Sequence, residues 1–311
     1  MQPTGRWKLG LFLALLTAAM WGLLPVALKL LLATLDPFTL TWFRFLAAAG
    51  LLGAFLGWRR RLPSARSLGR GGAALLGISV LGLAGNYLLY VMGLERVTPA
   101  TSQMVIQLAP VFLLLGGLVL FREPFAPVQW LGFGLLVMGL LLFFNDRYHA
   151  LAEGQGRYYA GVLITVAAAL SWAGYALAQK GLLRRLASEQ ILVLVYAGSA
   201  VVLTPAAEPG RLAGLANLQI WLLAFASLNT VIAYGAFAEA LVHWEASRVS
   251  AVLSITPLLT LAVTWTADSW WPGLLAPDPV NALSLLGAGL VVAGSALTAL
   301  GGRRRVTLQP E

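Results

Sequence analysis

Runs of about twenty mostly apolar residues, each long enough to cross roughly 30 Å of hydrocarbon as a helix, follow one another almost without a break through this chain. Polar and basic residues divide them into ten spans, at about 9 to 33, 38 to 58, 71 to 94, 100 to 120, 128 to 145, 158 to 180, 188 to 206, 217 to 241, 247 to 270 and 279 to 301. In lipid only helices and closed barrels satisfy their own backbone groups, and runs of this length specify helices. The connections are short, with no room for a soluble domain. Charged residues make up 11% of the chain and hydrophobic ones 59%, with a mean hydropathy of +0.81. Soluble domains carry about a quarter charged residues, so the expected class is an all-α integral membrane protein. The absence of cysteine excludes disulfides, thiol catalysis and iron–sulfur ligation, and two histidines leave little for a metal. No cofactor is expected.

A net charge of +9 and a pI near 10.4 would suit nucleic acid in a soluble chain, but here the basic residues sit in loops. Alternate loops collect fourteen Lys and Arg on one side, from Arg6 and Lys8 through the Arg59 to Arg70 cluster to Arg303, Arg304 and Arg305. The other side holds four: Arg96, Arg147, Arg157 and Arg211. The positive-inside rule then places both termini in the cytoplasm of a multi-pass cell-membrane protein, which means the inner membrane if the cell is Gram-negative. Arg6 and Lys8 before an apolar run also resemble a signal peptide. That run is long, contains Pro25 and matches an internal segment starting near Tyr158, so it reads as a retained first helix. Trp58, Trp130, Tyr148, Tyr158, Tyr159, Trp221, Trp270 and Trp271 fall at span ends as an aromatic belt.

The chain is duplicated. Trp21 and Lys29 recur 151 residues on as Trp172 and Lys180, and LGFGLLVMG at Leu131 to Gly139 recurs 155 residues on as LGAGLVVAG at Leu286 to Gly294. Gln103, Gln107 and Pro110 share one helix face at i, i+4 and i+7, and a shift of 147 residues lands them on Ser250, Ser254 and Pro257. The same shift carries Tyr87 onto Tyr234. Each copy has five spans, an odd number, so the second enters the membrane from the opposite side. Residues 1–150 and 151–311 are therefore read as two five-helix inverted repeats, an architecture of secondary transporters.

WGLLPVALK at Trp21 to Lys29, FRF at Phe43 to Phe45, GLERVTPATSQMVIQLAPVF at Gly93 to Phe112 and FREP at Phe121 to Pro124 resemble the EamA family of the drug/metabolite transporter superfamily. The resemblance covers essentially the whole chain. It implies a proton-coupled or exchange carrier, often an exporter of amino acids or other small metabolites, with a central cavity lined by helices 1, 3, 4, 6, 8 and 9. Where FREP carries Glu123, the second copy reads TADSWWPG with Asp268 as the nearest acid, so a symmetric carboxylate pair is not expected.

A polar side chain in hydrocarbon needs a partner, so each one demands an explanation. Gln103, Gln107, Ser250 and Ser254 are read as substrate-binding, against the alternative of inter-helix hydrogen bonds. Pro110 and Pro257 are expected to break their helices near the midplane and free carbonyls. Trp21, Trp172, Tyr87, Tyr234, Asn86 and Tyr90 complete the expected lining, with Ser79 on the Asn86 and Tyr90 face and Asn229 and Tyr175 ranked lower. Of the charges within spans, Lys29 and Lys180 are expected to snorkel to opposite faces, Arg44 to pair with Asp36, and Glu239, one turn before His243, is the candidate for proton coupling.

No HExxH, GxSxG, paired aspartates or acid-rich loop supports a membrane-embedded enzyme. The Gly287 to Gly294 run looks superficially like a nucleotide loop, but it lies within an apolar span and reads as close helix packing. A passive channel is the other rival. The expected protein is an alternating-access exporter of a small zwitterion or neutral amphiphile such as an amino acid. Its partners are that substrate, the bilayer and protons where they drive transport, with a homodimer left open and no nucleic acid. Phosphorylated metabolites are disfavoured because no fixed charge is expected near mid-membrane to offset theirs. For topology, reporters fused after Arg70 and Arg185 are expected to read cytoplasmic, and insertions near Gly154 and Gly210 external. One internal reporter on the wrong side breaks the inversion.

Overall fold

The protein is described from a computed structural model, covering residues 4–63, 68–121, 126–147, 156–275 and 280–300. Its helices are α1 (Trp7–Leu31), α2 (Pro37–Trp58), α3 (Gly69–Arg96), α4 (Pro99–Val105), α5 (Leu108–Phe121), α6 (Pro127–Phe143), α7 (Gly156–Leu182), α8 (Ser188–Leu203), α9 (Asn217–His243), α10 (Ala246–Leu253), α11 (Thr256–Trp270) and α12 (Ala282–Leu300). The segments α4 with α5 and α10 with α11 are the fourth and ninth spans, each broken in two. Nine spans among the described residues are long and apolar enough to cross a membrane; α6, an apolar helix of 17 residues, falls short of that length and completes ten. Trp58, Trp221 and Trp270 stand exposed at span ends, as an aromatic belt requires. Tyr148 and the FREP residues Arg122, Glu123 and Pro124 lie outside the described residues.

Helix starts follow local chemistry. Asp36 caps α2, its Oδ1 accepting from the N–H groups of Phe38 and Thr39 at 3.0 and 2.9 Å, with Pro37 in the first turn. Thr98 and Pro99 repeat the device at α4. At α6, α8 and α9 the residue before the helix is alanine, and Gln129, Gln190 and Gln219 reach back to accept its N–H. Asp36 does not pair with Arg44, contrary to the sequence expectation. Its other oxygen lies 3.7 Å from Arg211. Burial raises the Asp36 carboxyl, but the hydroxyl and N–H of Thr39, Arg211 and the Phe38 N–H outweigh it and hold the group below its ordinary value.

Small residues set the packing. Inter-helix contacts in lipid depend on close backbone approach rather than on a hydrophobic drive, and the duplicated glycine motifs supply it by packing on each other. On α6 and α12, Gly132 meets Gly294 and Gly139 meets Gly287, antiparallel. A Cβ on Gly139 would lie 2.6 Å from the Val291 nitrogen and 2.7 Å from the Gly287 oxygen. The α3 and α7 pair is joined similarly through Gly82 against Tyr175 and Gly93 against Gly161 and Thr165. Helix α1 packs antiparallel on α9, where Asn229 Nδ2 donates to the Met20 carbonyl at 2.7 Å, and α2 packs on α8. Each of these interfaces joins the two halves.

Gly139→Ala is therefore expected to force backbone apart, costing roughly 1–3 kcal/mol as overpacked cores do. Gly134→Ala, on the same helix with open space around it, is expected to leave the melting temperature in detergent unchanged. Equal melting temperatures for the two variants would refute this account of the α6–α12 contact.

Candidate functional site

The two broken spans define the centre of the molecule. Proline has no N–H and crowds the carbonyl four residues earlier, and those carbonyls belong to Ile106 for Pro110 and Leu253 for Pro257. The helices part there, at Ile106–Gln107 and at Ser254–Ile255, a few residues before each proline. Helix α4 packs on α11, and Gln107 Nε2 donates to the Ser254 carbonyl at 3.3 Å and lies 3.5 Å from Ser295 Oγ. Gln107 thus bonds to the backbone of its own counterpart, 147 residues away. In α1, Pro25 withdraws the donor that the Trp21 carbonyl would have had. Around it, Thr260 Oγ1 on α11 donates to the Gly22 carbonyl at 2.8 Å.

Between the halves lies a cavity of about 690 Å³, the size of a small-molecule site. Its lining includes all ten residues that the sequence put forward: Trp21, Asn86, Tyr87, Tyr90, Gln103, Gln107, Trp172, Tyr234, Ser250 and Ser254. Trp21 meets Tyr234 edge-on, with ring centroids 5.4 Å apart, and Phe237 at 5.9 Å. The Tyr90 hydroxyl donates to Gln103 Oε1 at 2.9 Å, and Asn86 Nδ2 to the Ala168 carbonyl at 2.9 Å. The helices implied by the family resemblance are joined in the lining by α2, α6 and α12, through Arg44, Gln129, Ser295 and Thr298.

Arg44 is the correction of most consequence, because no fixed charge was expected here. It lines the cavity and is 2% exposed. Its Nε donates to the Ala226 carbonyl at 3.3 Å, its Nη2 to Thr230 Oγ1 at 3.2 Å, and its guanidinium lies 4.7 Å from the Tyr87 ring centroid. The signal was present, since an ionisable residue within a span marks a functional position by default. Gln129 and Thr298 carried a weaker one, as polar residues near span ends.

Other polar candidates fall elsewhere. Tyr175 is in the apolar core, Ser79 is fully buried and Asn229 is spent on the Met20 carbonyl; none lines the cavity. Glu239 is absent from the lining too. It lies about 200° round α9 from the cavity-lining Phe237, with its Oε1 3.1 Å from His243 Nε2, while His243 Nδ1 is 2.7 Å from Thr4 Oγ1. Asp268 accepts from the Gly273 N–H beyond the end of α11. Lys29 reaches the end of α3 and donates to the carbonyls of Leu94, Glu95 and Val97 at 2.7, 3.1 and 2.8 Å, closing a helix C-terminus rather than only seeking the lipid interface.

The duplicated half-helices are not placed equivalently. Helix α4 lies against both α1 and α7, whereas α10 lies against α1 and α12 and barely touches α7 among the described residues. Similarly α1 packs on α3, while the matching contact of α7 with α9 is sparse. The two halves share a pattern and differ in arrangement.

Ten membrane spans in two copies around a central polar and aromatic cavity define a polytopic membrane transporter. The EamA-like transporter family model matches the chain twice, over residues 8–145 and 159–300. The chain belongs to that family, whose members are transporters and not enzymes. It is 40% identical over 296 residues to the uncharacterized inner membrane transporter YhbE of Escherichia coli (strain K12), covering 95% of this chain and 92% of that one. It is 26% identical over 311 residues to a probable amino-acid metabolite efflux pump of Salmonella typhimurium, covering 95% and 96%. A solved crystal structure matches 96% of this chain and 99% of its own with a TM-score of 0.64 at 19% identity, a likeness of fold.

The cavity geometry predicts chemical access. In this naturally cysteine-free chain, cysteines at Gln107 and Ser254 are expected to react with a small polar methanethiosulfonate reagent in intact protein, and one at Ser79 is not. Equal reactivity at all three would remove the distinction between lining and packing.

Proposed function

We propose that this protein is a secondary active exporter of small amino-acid-like metabolites, working by alternating access, with both termini in the cytoplasm. The single observation that carries this reading is the shared cavity, in which Trp21, Tyr87 and Tyr90 of one half and Trp172 and Tyr234 of the other surround Gln103, Gln107 and Ser254. Aromatic faces cover an apolar side chain, and amides both donate and accept, as a zwitterion or neutral amphiphile requires. In this reading the substrate touches these eight residues together with Asn86 and Ser250. The relatives named as probable amino-acid metabolite efflux pumps support the same class.

The cavity reaches Gln129, in the first turn of α6, and Thr298, in the last turn of α12, and export is the direction in the names of the efflux-pump relatives. With the C-terminal end of α12 in the cytoplasm, those positions lie near the cytoplasmic face. The non-equivalent seats of α4 and α10 suit a rocking exchange, in which each takes the other's surroundings in turn. Phosphorylated metabolites remain disfavoured, although Arg44 changes the reason. One guanidinium faces about two negative charges on a phosphate monoester, leaving one without a partner.

Glu239 remains the coupling candidate, acting through the α9 end and His243 and not by contact with substrate. Purified protein in liposomes, loaded with each amino acid in turn, is expected to show saturable counterflow for at least one, with protection of cysteines placed at Gln107 and Ser254 by the same solute. Glu239→Gln is expected to lose accumulation driven by a pH gradient and retain that counterflow. Counterflow of a sugar phosphate with none of any amino acid would overturn the substrate class, and non-saturable flux would favour a channel.

A further inference from the structure

Arg44 is placed for a partner that the described residues do not supply. It is eight residues beyond the Asp36 cap, about 12 Å along the helix, and buried at 2% exposure in the cavity wall. A guanidinium has five N–H donors. Two are used, on the Ala226 carbonyl and the Thr230 hydroxyl, both uncharged acceptors. Among the described residues no carboxylate lies within ion-pair distance, since Asp36 is turned to Arg211. One face of the ion rests on Tyr87, and Thr230 is itself fixed by donating to the Ala226 carbonyl at 3.1 Å. The side chain is held in position on one side with three donors left over.

We infer that Arg44 is the anion acceptor of the cavity and that the transported solute carries a single carboxylate, which docks on it. This rests on the cavity being the transport site, and narrows the substrate from zwitterions and neutral amphiphiles in general to carboxylate-bearing solutes. Planar guanidinium and carboxylate groups pair through two parallel N–H···O bonds, and the pair is strongest where water is excluded. The other end of the solute meets the Trp21, Tyr234 and Phe237 rings. These take an apolar chain or, face-on, an ammonium. Amines without a carboxylate, polyamines among them, meet like charge at Arg44 and are rejected.

The test compares proteinogenic amino acids with their carboxamides, which keep the ammonium and side chain and lose only the negative charge. Counterflow of labelled solute into wild-type liposomes, with increasing unlabelled competitor, gives the acid-to-amide ratio of apparent affinities. A charged hydrogen-bonded pair gives a preference of about 10- to 100-fold for the acid. In Arg44→Gln that ratio is expected to fall to about twofold, with Arg44→Lys intermediate because the charge survives and the fork does not. A wild-type ratio near one overturns the inference without any variant, so misfolding of Arg44→Gln cannot shelter it; so does a preference that survives in a folded Arg44→Gln. Short monocarboxylates lacking an amine separate this inference from the amino-acid reading. If they exchange in an Arg44-dependent way and amino acids do not, the carboxylate dock stands and the amino-acid substrate falls. Exchange of amides and amines alone overturns the dock and leaves a transporter of other solutes, and exchange of none of these solutes overturns both.

Discussion

In hydrocarbon a backbone carbonyl without a donor has no water to turn to, so every place where a helix is interrupted must be answered by a neighbouring side chain or left facing a cavity. Three interruptions lie close together here: Pro25 in α1, and the breaks before Pro110 and Pro257. Near Pro25 the Gly22 and Met20 carbonyls of α1 accept from Thr260 and Asn229, and at the break before Pro257 the Ser254 carbonyl accepts from Gln107. Gln103, Gln107, Ser250 and Ser254, in or beside the two broken spans, line the cavity. The site therefore lies where backbone regularity fails, and the rest of the fold holds those failures in register.

What holds them is backbone proximity. The α6–α12, α3–α7 and α1–α9 pairs each join one half to the other, and the first two close through glycines with no room for a Cβ. No half has an interior of its own, and the cavity occupies the space between them. Such a seam permits rearrangement, because flat small-residue surfaces slide with less repacking than interlocked large ones. The unequal seats of α4 and α10 fit a seam of that kind.

Charge within the spans is distributed unevenly. Lys29 is absorbed by three carbonyls at the end of α3, and outside the spans Arg211, in the connection before α9, by Glu208 and Asp36. Arg44 receives only neutral partners and a tyrosine face. Its span has no charged counterpart in α8, whose single acid, Glu189, is at the start of the helix. The duplicated scaffold thus encloses an electrically asymmetric space, with Arg44 in the wall supplied by the first half.

The ten spans, the duplication and the glycine contacts were legible in the sequence, because hydropathy, odd span number and small-residue spacing are local properties that lipid enforces one helix at a time. Eight of the ten lining residues were legible for a related reason: a polar or aromatic side chain stands at matching positions of two inverted copies, as with Gln107, which meets Ser254, whereas Asn86 and Tyr90 were legible as a polar and an aromatic residue one turn apart on one face of α3. Arg44 was misassigned because its pairing with Asp36 was judged along one helix, where about 12 Å of rise exceeds the reach of an arginine. Its true neighbours, Ala226 and Thr230, are more than 180 residues away. Asn229 ranked below Gln107 in the sequence because only Gln107 has a polar mate at the matching position of the other copy, Ser254. Only the tertiary structure decided that Asn229 ties α9 to α1 while Arg44 faces the cavity, because that depends on which helix stands opposite, and the helix opposite is chosen by backbone packing far from the residue itself.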